Sequence, residues 1–291
     1  VKISRWGSDQ PVILDAFRDP DGVGWRLDRA RFEADLRTNA VKRGANLIVP
    51  ENISELEQTR QGWNIILASG TKVFARQIID ASGRRSRLLR PFGQRRMTMD
   101  RLVCTYQLVP QADTADPSTY THSTAEGWWY TALLPNHQRI IAFHTDTDLP
   151  YAKSTLHAGP VSVSKQIPGL SEAIGLINIA EASKPQICAA GSAAGSAAGL
   201  GWLAAGDSAL SLDPLSSQGL FNALVTGLEA GETALTRLNS DQDEKAMQAH
   251  AERIGRIWQA YANHHSGYYG MEKRWPDTPF WQRRLGAIAA Q

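Results

Sequence analysis

Two short stretches combine residue types that can hold a ligand. In the first, the apolar run Trp202-Leu203-Ala204-Ala205 is followed by Gly206 and Asp207. A carboxylate at the carboxyl end of a buried strand accepts hydrogen bonds from ligand hydroxyls, and open α/β sheets bind ligands at that end. Leu212-Asp213-Pro214-Leu215-Ser216-Ser217-Gln218-Gly219 then leads into a helix rich in small residues. The N–H groups of Ser217, Gln218 and Gly219 are expected to face the space before that helix, where the helix dipole favours a partially negative atom. The plainer alternative is that Asp207 caps a turn; the combined spacing favours a ligand. The second stretch is Ile78-Ile79-Asp80-Ala81-Ser82-Gly83-Arg84-Arg85-Ser86. Its small residues let backbone approach a ligand closely, although residue types alone favour an ordinary strand-to-loop turn. Arg84, Arg85, Arg87, Arg90, Arg95 and Arg96 form a basic stretch. Its default meaning is a solvated surface, and its sharper one a phosphate contact by one or two of them.

The elements that must position these stretches follow from periodicity. Val1 to Phe17 reads as strand, with a turn at Asp19-Pro20-Asp21-Gly22. A helix follows, with Asp28 as N-cap and Gly44 as stop. Ala45 to Val49 is expected as a short strand, Trp63 to Leu67 and Thr71 to Phe74 as a hairpin, and Gln77 to Asp80 as a buried strand. This alternation indicates a layered α/β unit. The middle differs: Leu102 to Val109, Gly127 to Leu134 and Arg139 to Thr145 read as antiparallel strands. Ile167 to Ile177 is expected as a short helix. Gly201 to Ala205 is expected as a strand, and Ser217 to Leu238 and Asp243 to His264 as long helices. The tail from Tyr268 to Trp281 is aromatic.

Composition excludes several classes. The chain has 291 residues, 42% hydrophobic and 21% charged, which is ordinary globular composition. A net charge of +2 gives no reason to expect a nucleic-acid partner. The two cysteines, Cys104 and Cys188, exclude a disulfide scaffold and a multi-cysteine zinc site. They suit a reducing compartment, and with no signal sequence at Val1 to Gln10 the expectation is cytoplasmic. The uncharged stretch Pro185 to Gly206 carries Gly191, Gly195 and Gly199 at a helix-packing spacing, but it is too weakly apolar for a bilayer, so no membrane span is expected. The seven histidines show no ligand spacing, and no metal site is expected. No G-x-S-x-G elbow surrounds Ser208, Ser211, Ser216 or Ser217. Trp128, Trp129 and Tyr130 alternate faces of a strand. Trp128, Tyr130 and His144 are the candidates for lining a substrate pocket.

The Asp80-Ala81-Ser82-Gly83 turn and the Gly206-Asp207 to Gly219 block resemble the second and third cofactor motifs of FAD-dependent monooxygenases and flavin halogenases. The resemblance implies an α/β chain: a partial doubly wound FAD-binding fold with an antiparallel β-sheet substrate domain and C-terminal helices. Residues 1–100 and 190–240 would form the discontinuous FAD-binding domain, 101–189 the substrate domain and 241–291 a helical segment. It further implies that Asp207, beside Gly206, binds the ribityl chain of FAD. The block from Pro214 and Ser216 to Ser217, Gln218 and Gly219 would face the pyrimidine end of the isoalloxazine. Asp80 and Gly83 would lie near the cofactor, as would Arg29, which matches a recurrent helix-start arginine. No residue is assigned a catalytic role.

The nearer similarity is to flavoproteins that mature tryptophylquinone-containing amine oxidases and dehydrogenases. It rests on Asp213 to Gly219, on Glu126-Gly127-Trp128-Trp129-Tyr130 and on Tyr269-Gly270-Met271-Glu272-Lys273-Arg274-Trp275-Pro276-Asp277. It extends from about Trp25 to Trp281. It implies hydroxylation of an aromatic substrate, a tryptophan carried by a protein subunit foremost. Two departures stand out. No G-x-G-x-x-G turn is present, since Gly22-Val23-Gly24-Trp25 lacks the third glycine; a fragment, or a relic that binds a partner without flavin, is one alternative. Halogenation is the other, although Trp128 to Leu133 does not match the halogenase W-x-W-x-I-P motif.

Overall fold

A computed structural model describes residues 1–15, 26–86, 88–111, 116–175, 177–239 and 243–289. The expected turn at Asp19 to Gly22 lies outside them. Among these residues the early strands are β1 (Lys2–Arg5), β2 (Val12–Leu14), β3 (Ile53–Gln58), β4 (Trp63–Leu67), β5 (Lys72–Ala75) and β6 (Ile78–Asp80). Helix α1 (Arg29–Lys42) separates β2 from β3. The middle carries β7 (Arg96–Thr98), β8 (Leu102–Pro110), β9 (Thr119–Thr124), β10 (Gly127–Leu133) and β11 (Gln138–Asp146). Short helices follow: α2 (Pro150–Ala158), α3 (Pro160–Ser164) and α4 (Leu170–Ile174). Next come β12 (Gln186–Ala189), β13 (Ala193–Gly195), β14 (Ala198–Gly199), β15 (Trp202–Ala204) and β16 (Leu210–Ser211). The chain closes with α5 (Gly219–Asn239), α6 (Asp243–Gly270) and α7 (Pro279–Ala289).

The chain divides into two units. One comprises Val1–Lys42, Arg101–Ala190 and His264–Gln291, the other Arg43–Asp100 and Gly191–Asn263. The first is built on a seven-stranded sheet ordered β12-β8-β11-β10-β9-β1-β2. Its ladders are antiparallel except β1 with β9, which run parallel. The β1–β9 pairing places β1 and β2 in the antiparallel sheet, whereas the sequence reading put residues 1–100 in the discontinuous α/β unit. The 241–291 segment likewise divides, within α6, between residues 263 and 264. One core of this unit collects Val109, Trp129, Ile141, Phe143, Val161 and Leu170. Asp146 ties α7 to β11 through Arg284 at 2.8 Å and Arg283 at 3.0 Å.

The second unit holds three small sheets, ordered β16-β13-β7, β14-β15-β6 and β3-β4-β5. Within it β6 and β15 run parallel, in register from Trp202 opposite Ile78 to Ala204 opposite Asp80. Their core packs Trp63, Leu89, Trp202, Ala204, Leu212 and Tyr261. The Trp63 indole N–H donates to the Gly201 carbonyl at 2.7 Å, fixing the start of β15. Helix α5 buries Asn222, Thr226, Ala230 and Ala234, one residue per turn. Small residues on that stripe let it lie close to Leu203 and Ala205.

Several expectations change. Asp28 does cap α1, accepting the Arg31 N–H at 3.1 Å. However, Ala45 to Val49 forms no strand: Leu47, Ile48 and Val49 are exposed and no described strand pairs with them. Strand β3 was not foreseen, because Ile53-Ser54-Glu55-Leu56-Glu57-Gln58 is rich in charge and mostly exposed. The helix expected over Ile167 to Ile177 shortens to Leu170–Ile174, bounded by Gly169 and Gly175 at positive φ. No helix among the described residues is long and apolar enough to cross a membrane, and none of their acidic, histidine or cysteine side chains cluster as a metal site.

Candidate functional site

In the second unit, β6 and β15 deliver their carboxyl ends side by side. The Ala205 N–H donates to the Asp80 carbonyl at 3.0 Å, and the Ser208 hydroxyl donates to the same carbonyl. The Asp80 carboxylate is 3% exposed and works inward. It accepts the Ser82 N–H at 2.9 Å, the Ser82 hydroxyl at 2.6 Å and the Ser86 hydroxyl. Asp80 therefore shapes the turn that carries Gly83, and its carboxylate is turned away from solvent. Gly83 has φ +81°, and a Cβ built there would meet no atom within 4 Å, so the turn opens on free space.

Asp207 differs. Gly206 precedes it at φ +58°, a conformation that favours glycine, with its N–H donated to Thr226 Oγ1 at 2.8 Å. This turn holds the Asp207 carboxylate one-third exposed, with Oδ2 3.1 Å from Arg84 Nε. Arg84 also donates to the Leu212 carbonyl at 2.6 Å and to the Gly191 carbonyl. Arg96 donates to the Asp207 carbonyl at 2.9 Å and to the Ser211 hydroxyl. Burial, then the nearby Arg84 charge, lowers the Arg96 pKa, with Asp207 opposing. Two members of the basic stretch thus clasp the 207–212 loop, while Arg85, Arg90 and Arg95 are exposed as a solvated surface.

The loop continues into α5. Asp213 is buried, and its carboxylate accepts the Leu215 N–H at 2.8 Å. Pro214 begins a single tight turn that ends at Ser217, which adopts φ +54°. The Ser217 N–H donates to the Pro214 carbonyl at 3.0 Å, and the Gln218 N–H to Ser216 Oγ at 3.3 Å. Two of the three donors expected to face a ligand are therefore used by the turn. The first turn of α5, from Gly219 onward, keeps N–H groups without intrahelical acceptors, and a Cβ on Gly219 would meet open space.

Tyr261 was missed by the sequence reading. Its oxygen accepts the Asp213 N–H at 3.0 Å and its hydroxyl contacts Ser192 Oγ. Ser192 N–H donates to Asp100 at 3.1 Å. Burial, then the Asp213 carboxylate, raises the Tyr261 pKa, so the phenol stays protonated. The helical spacing of buried His250, Ile254 and Tyr261 was the available signal.

The first unit carries the remaining candidates. Trp128 pairs with His144 across β10 and β11, and their rings stack at 3.6 Å. The Trp128 indole N–H donates to the Tyr269 hydroxyl at 2.9 Å, and Trp6 packs edge-on against Trp128 and Tyr269. Both Trp128 and His144 are buried, and Tyr130 is half-buried on the same face. Trp129, on the other face, borders a cavity of about 440 Å³ with Phe143, Tyr151, Thr155 and Ile167. Glu272 anchors the tail beside this nest. It accepts the Ser123 hydroxyl at 2.7 Å and the Gly7 N–H at 2.8 Å and pairs with Arg274. Burial would raise its carboxyl, but the bonds from Arg274, Ser123 and Gly7 outweigh that and bring it down to about 2. Arg29 pairs with Glu33 at 2.6 Å on the exposed α1 surface.

A strand-borne carboxylate beside a helix first turn is a donor and acceptor set suited to a ligand with hydroxyls at one end and a partially negative ring edge at the other. Residues 15–148 match the tryptophan halogenase family. The chain is 28% identical over 299 residues to LodB of Marinomonas mediterranea, a protein provisionally assigned as an FAD-dependent oxidoreductase; all of this chain and 79% of LodB are covered. Among solved structures, the peptidyl tryptophan dihydroxylase QhpG, essential for tryptophylquinone cofactor biogenesis, is 25% identical with a TM-score of 0.77. That match covers 97% of this chain and 63% of QhpG. The flavin-dependent halogenase CmlS gives 0.81 at 17% identity, covering 97% of this chain and 54% of its own. The myxobacterial chondrochloren halogenase CndH gives 0.81 at 18%, covering 99% and 71%. The fold is that of these flavoenzymes, and the chain is similar along its length to FAD-dependent oxidoreductases of the flavin halogenase and monooxygenase superfamily.

Proposed function

We propose that this protein is an FAD-dependent monooxygenase that hydroxylates an aromatic ring, with a tryptophan side chain in a partner polypeptide as the substrate. The observation that carries the proposal is the partly exposed Asp207 carboxylate set by Gly206 beside the first turn of α5. Asp207 would accept hydrogen bonds from the ribityl hydroxyls. Gly219, with Ser217 and Gln218 shaping the entry from Pro214 and Ser216, would present N–H donors to the pyrimidine edge. Asp80 would hold the Gly83 turn open for close approach. Arg29, Trp128, Tyr130 and His144 enter by resemblance, the first toward the cofactor and the others toward the substrate. Bound FAD supplies the oxygen activation that no side chain can. The identity to the dihydroxylase, 25% over 97% of the chain, favours hydroxylation of a peptidyl tryptophan.

Halogenation is the second reading, favoured by the family match over residues 15–148. One experiment separates the two. The protein is incubated with FAD, a flavin reductant, oxygen and a tryptophan-containing peptide, with chloride and bromide present, and the peptide is analysed by mass spectrometry. Gain of oxygen on tryptophan supports the proposal. Gain of halogen overturns it in favour of the second reading. Failure to retain FAD overturns both and leaves a partner-binding role.

A further inference from the structure

The chain's two cysteines are far apart in sequence, yet the fold sets them directly opposite each other, Cys104 on β8 and Cys188 on β12. Two residues along, the Ala190 N–H donates to the Leu102 carbonyl at 2.9 Å. Cys104 and Cys188 therefore occupy a hydrogen-bonded position of the antiparallel ladder. Such positions place Cα atoms about 5.5 Å apart, which lies at the usual span of a disulfide, about 5.5–6 Å. Directly opposed side chains share one face of the sheet. A hydrogen bond with Cys188, and then burial, raises the Cys104 thiol well above its ordinary range, in keeping with the pairing of the two residues. Both are thiols in this structure.

The pair is asymmetric in access. Cys104 is 8% exposed, on a strand flanked by β11 and β12. Cys188 is exposed, on β12 at the edge of the sheet. The next opposed pair on the same face of the ladder is Tyr106 with Gln186, whose side chains hydrogen-bond at 2.6 Å. That contact holds β12 in register beside the thiols. An oxidant in solution meets one sulfur first, and the second waits behind it.

We infer that Cys104 and Cys188 form a reversible cross-strand disulfide, with Cys188 the peroxide-reactive thiol and Cys104 the resolving one. Hydrogen peroxide is the oxidant. The Cys188 sulfur attacks peroxide, the O–O bond breaks, and Cys188 becomes a sulfenic acid with release of water. The Cys104 sulfur then attacks the Cys188 sulfur. The S–O bond breaks, and the departing hydroxide leaves as a second water with the Cys104 proton. One peroxide is reduced, two thiols are oxidised, and β12 is pinned covalently to β8. This inference does not rest on flavin binding.

The test treats the protein with hydrogen peroxide, unfolds it, labels remaining thiols with a maleimide and maps the peptides before and after dithiothreitol. Loss of both labels, an intramolecular Cys104–Cys188 linked peptide and return of both labels on reduction are the expected results. Thermal melting of the oxidised form should shift upward relative to the reduced form. In Cys104→Ser the Cys188 sulfenic acid should persist and be trapped by dimedone. Wild-type protein whose Cys188 advances to sulfinic acid while Cys104 stays a labelled thiol would overturn the inference. So would a linkage between two chains. Because the wild-type map decides alone, a poorly folding variant does not blunt the test.

Discussion

Asp207 and Trp128 were both selected from sequence as ligand-facing residues, and their surroundings are opposite. Asp207 stands past the end of a strand, one-third exposed, its loop held from behind by two guanidinium groups. Trp128 stands within a strand, 1% exposed, stacked on His144 and bonded to Tyr269. A residue past a strand end, like Asp207, can be left open to solvent by its turn, whereas one inside a paired strand, like Trp128, is first consumed by packing. The difference predicts that changes at Trp128 register mainly as lost stability and changes at Asp207 mainly as lost cofactor affinity.

The largest effect should come from Trp128→Ala. Emptying a fully buried indole site costs about 3–5 kcal/mol, read by urea unfolding; retained stability with lost turnover would instead move Trp128 to the ligand-facing side of the comparison. Next, Glu272 makes the same nest acid-sensitive. Its folded pKa of about 2 lies below the ordinary 4.5. Its stabilisation is therefore complete above about 4.5 and is lost as pH falls toward 2. At most about 3 kcal/mol is at stake, one pKa unit being worth about 1.4 kcal/mol. Glu272→Gln should flatten the acid limb of stability against pH, and an unchanged limb would show that the tail is held by packing alone.

Arg84→Met should cost about 2–3 kcal/mol, since hydrogen bonds to charged groups are worth about 1.5–3 kcal/mol each and water replaces part of the loss. Thermal melting measures it. The smallest change in stability should come from Asp207→Asn, within about 1 kcal/mol for a partly exposed pair. FAD affinity in that variant should fall about tenfold or more, because hydroxyl bonds to a carboxylate outweigh those to an amide. Flavin fluorescence titration tests this. Equal affinity would remove Asp207 from the proposed site.

The strand, glycine, aspartate, loop and helix around residue 207 were legible in the sequence because each signal is local: an apolar run, a glycine, a proline turn and a small-residue stripe. The long strands β8, β10 and β11 were legible for the same reason. Strand β12 was not, because all four of its residues are exposed and show no alternation. The clasp by Arg84 and Arg96 was also hidden. Most of its acceptors are backbone carbonyls more than a hundred residues away, and carbonyls leave no mark on residue type. The inward use of Asp80 was hidden as well, because residue type does not say that Ser82 and Ser86 turn their hydroxyls onto its carboxylate.

Arg84 touches the Asp207 carboxylate with one nitrogen and two carbonyls of separate segments with the others. Removing the carboxylate therefore leaves a stranded cation that still grips Leu212 and Gly191, and the loop can re-seat around it. A null substitution at 207 reports on this rearrangement as well as on any missing acceptor. An isosteric amide keeps an oxygen for Arg84, so asparagine rather than alanine is the informative replacement, and the difference between the two variants measures how far the loop drifts.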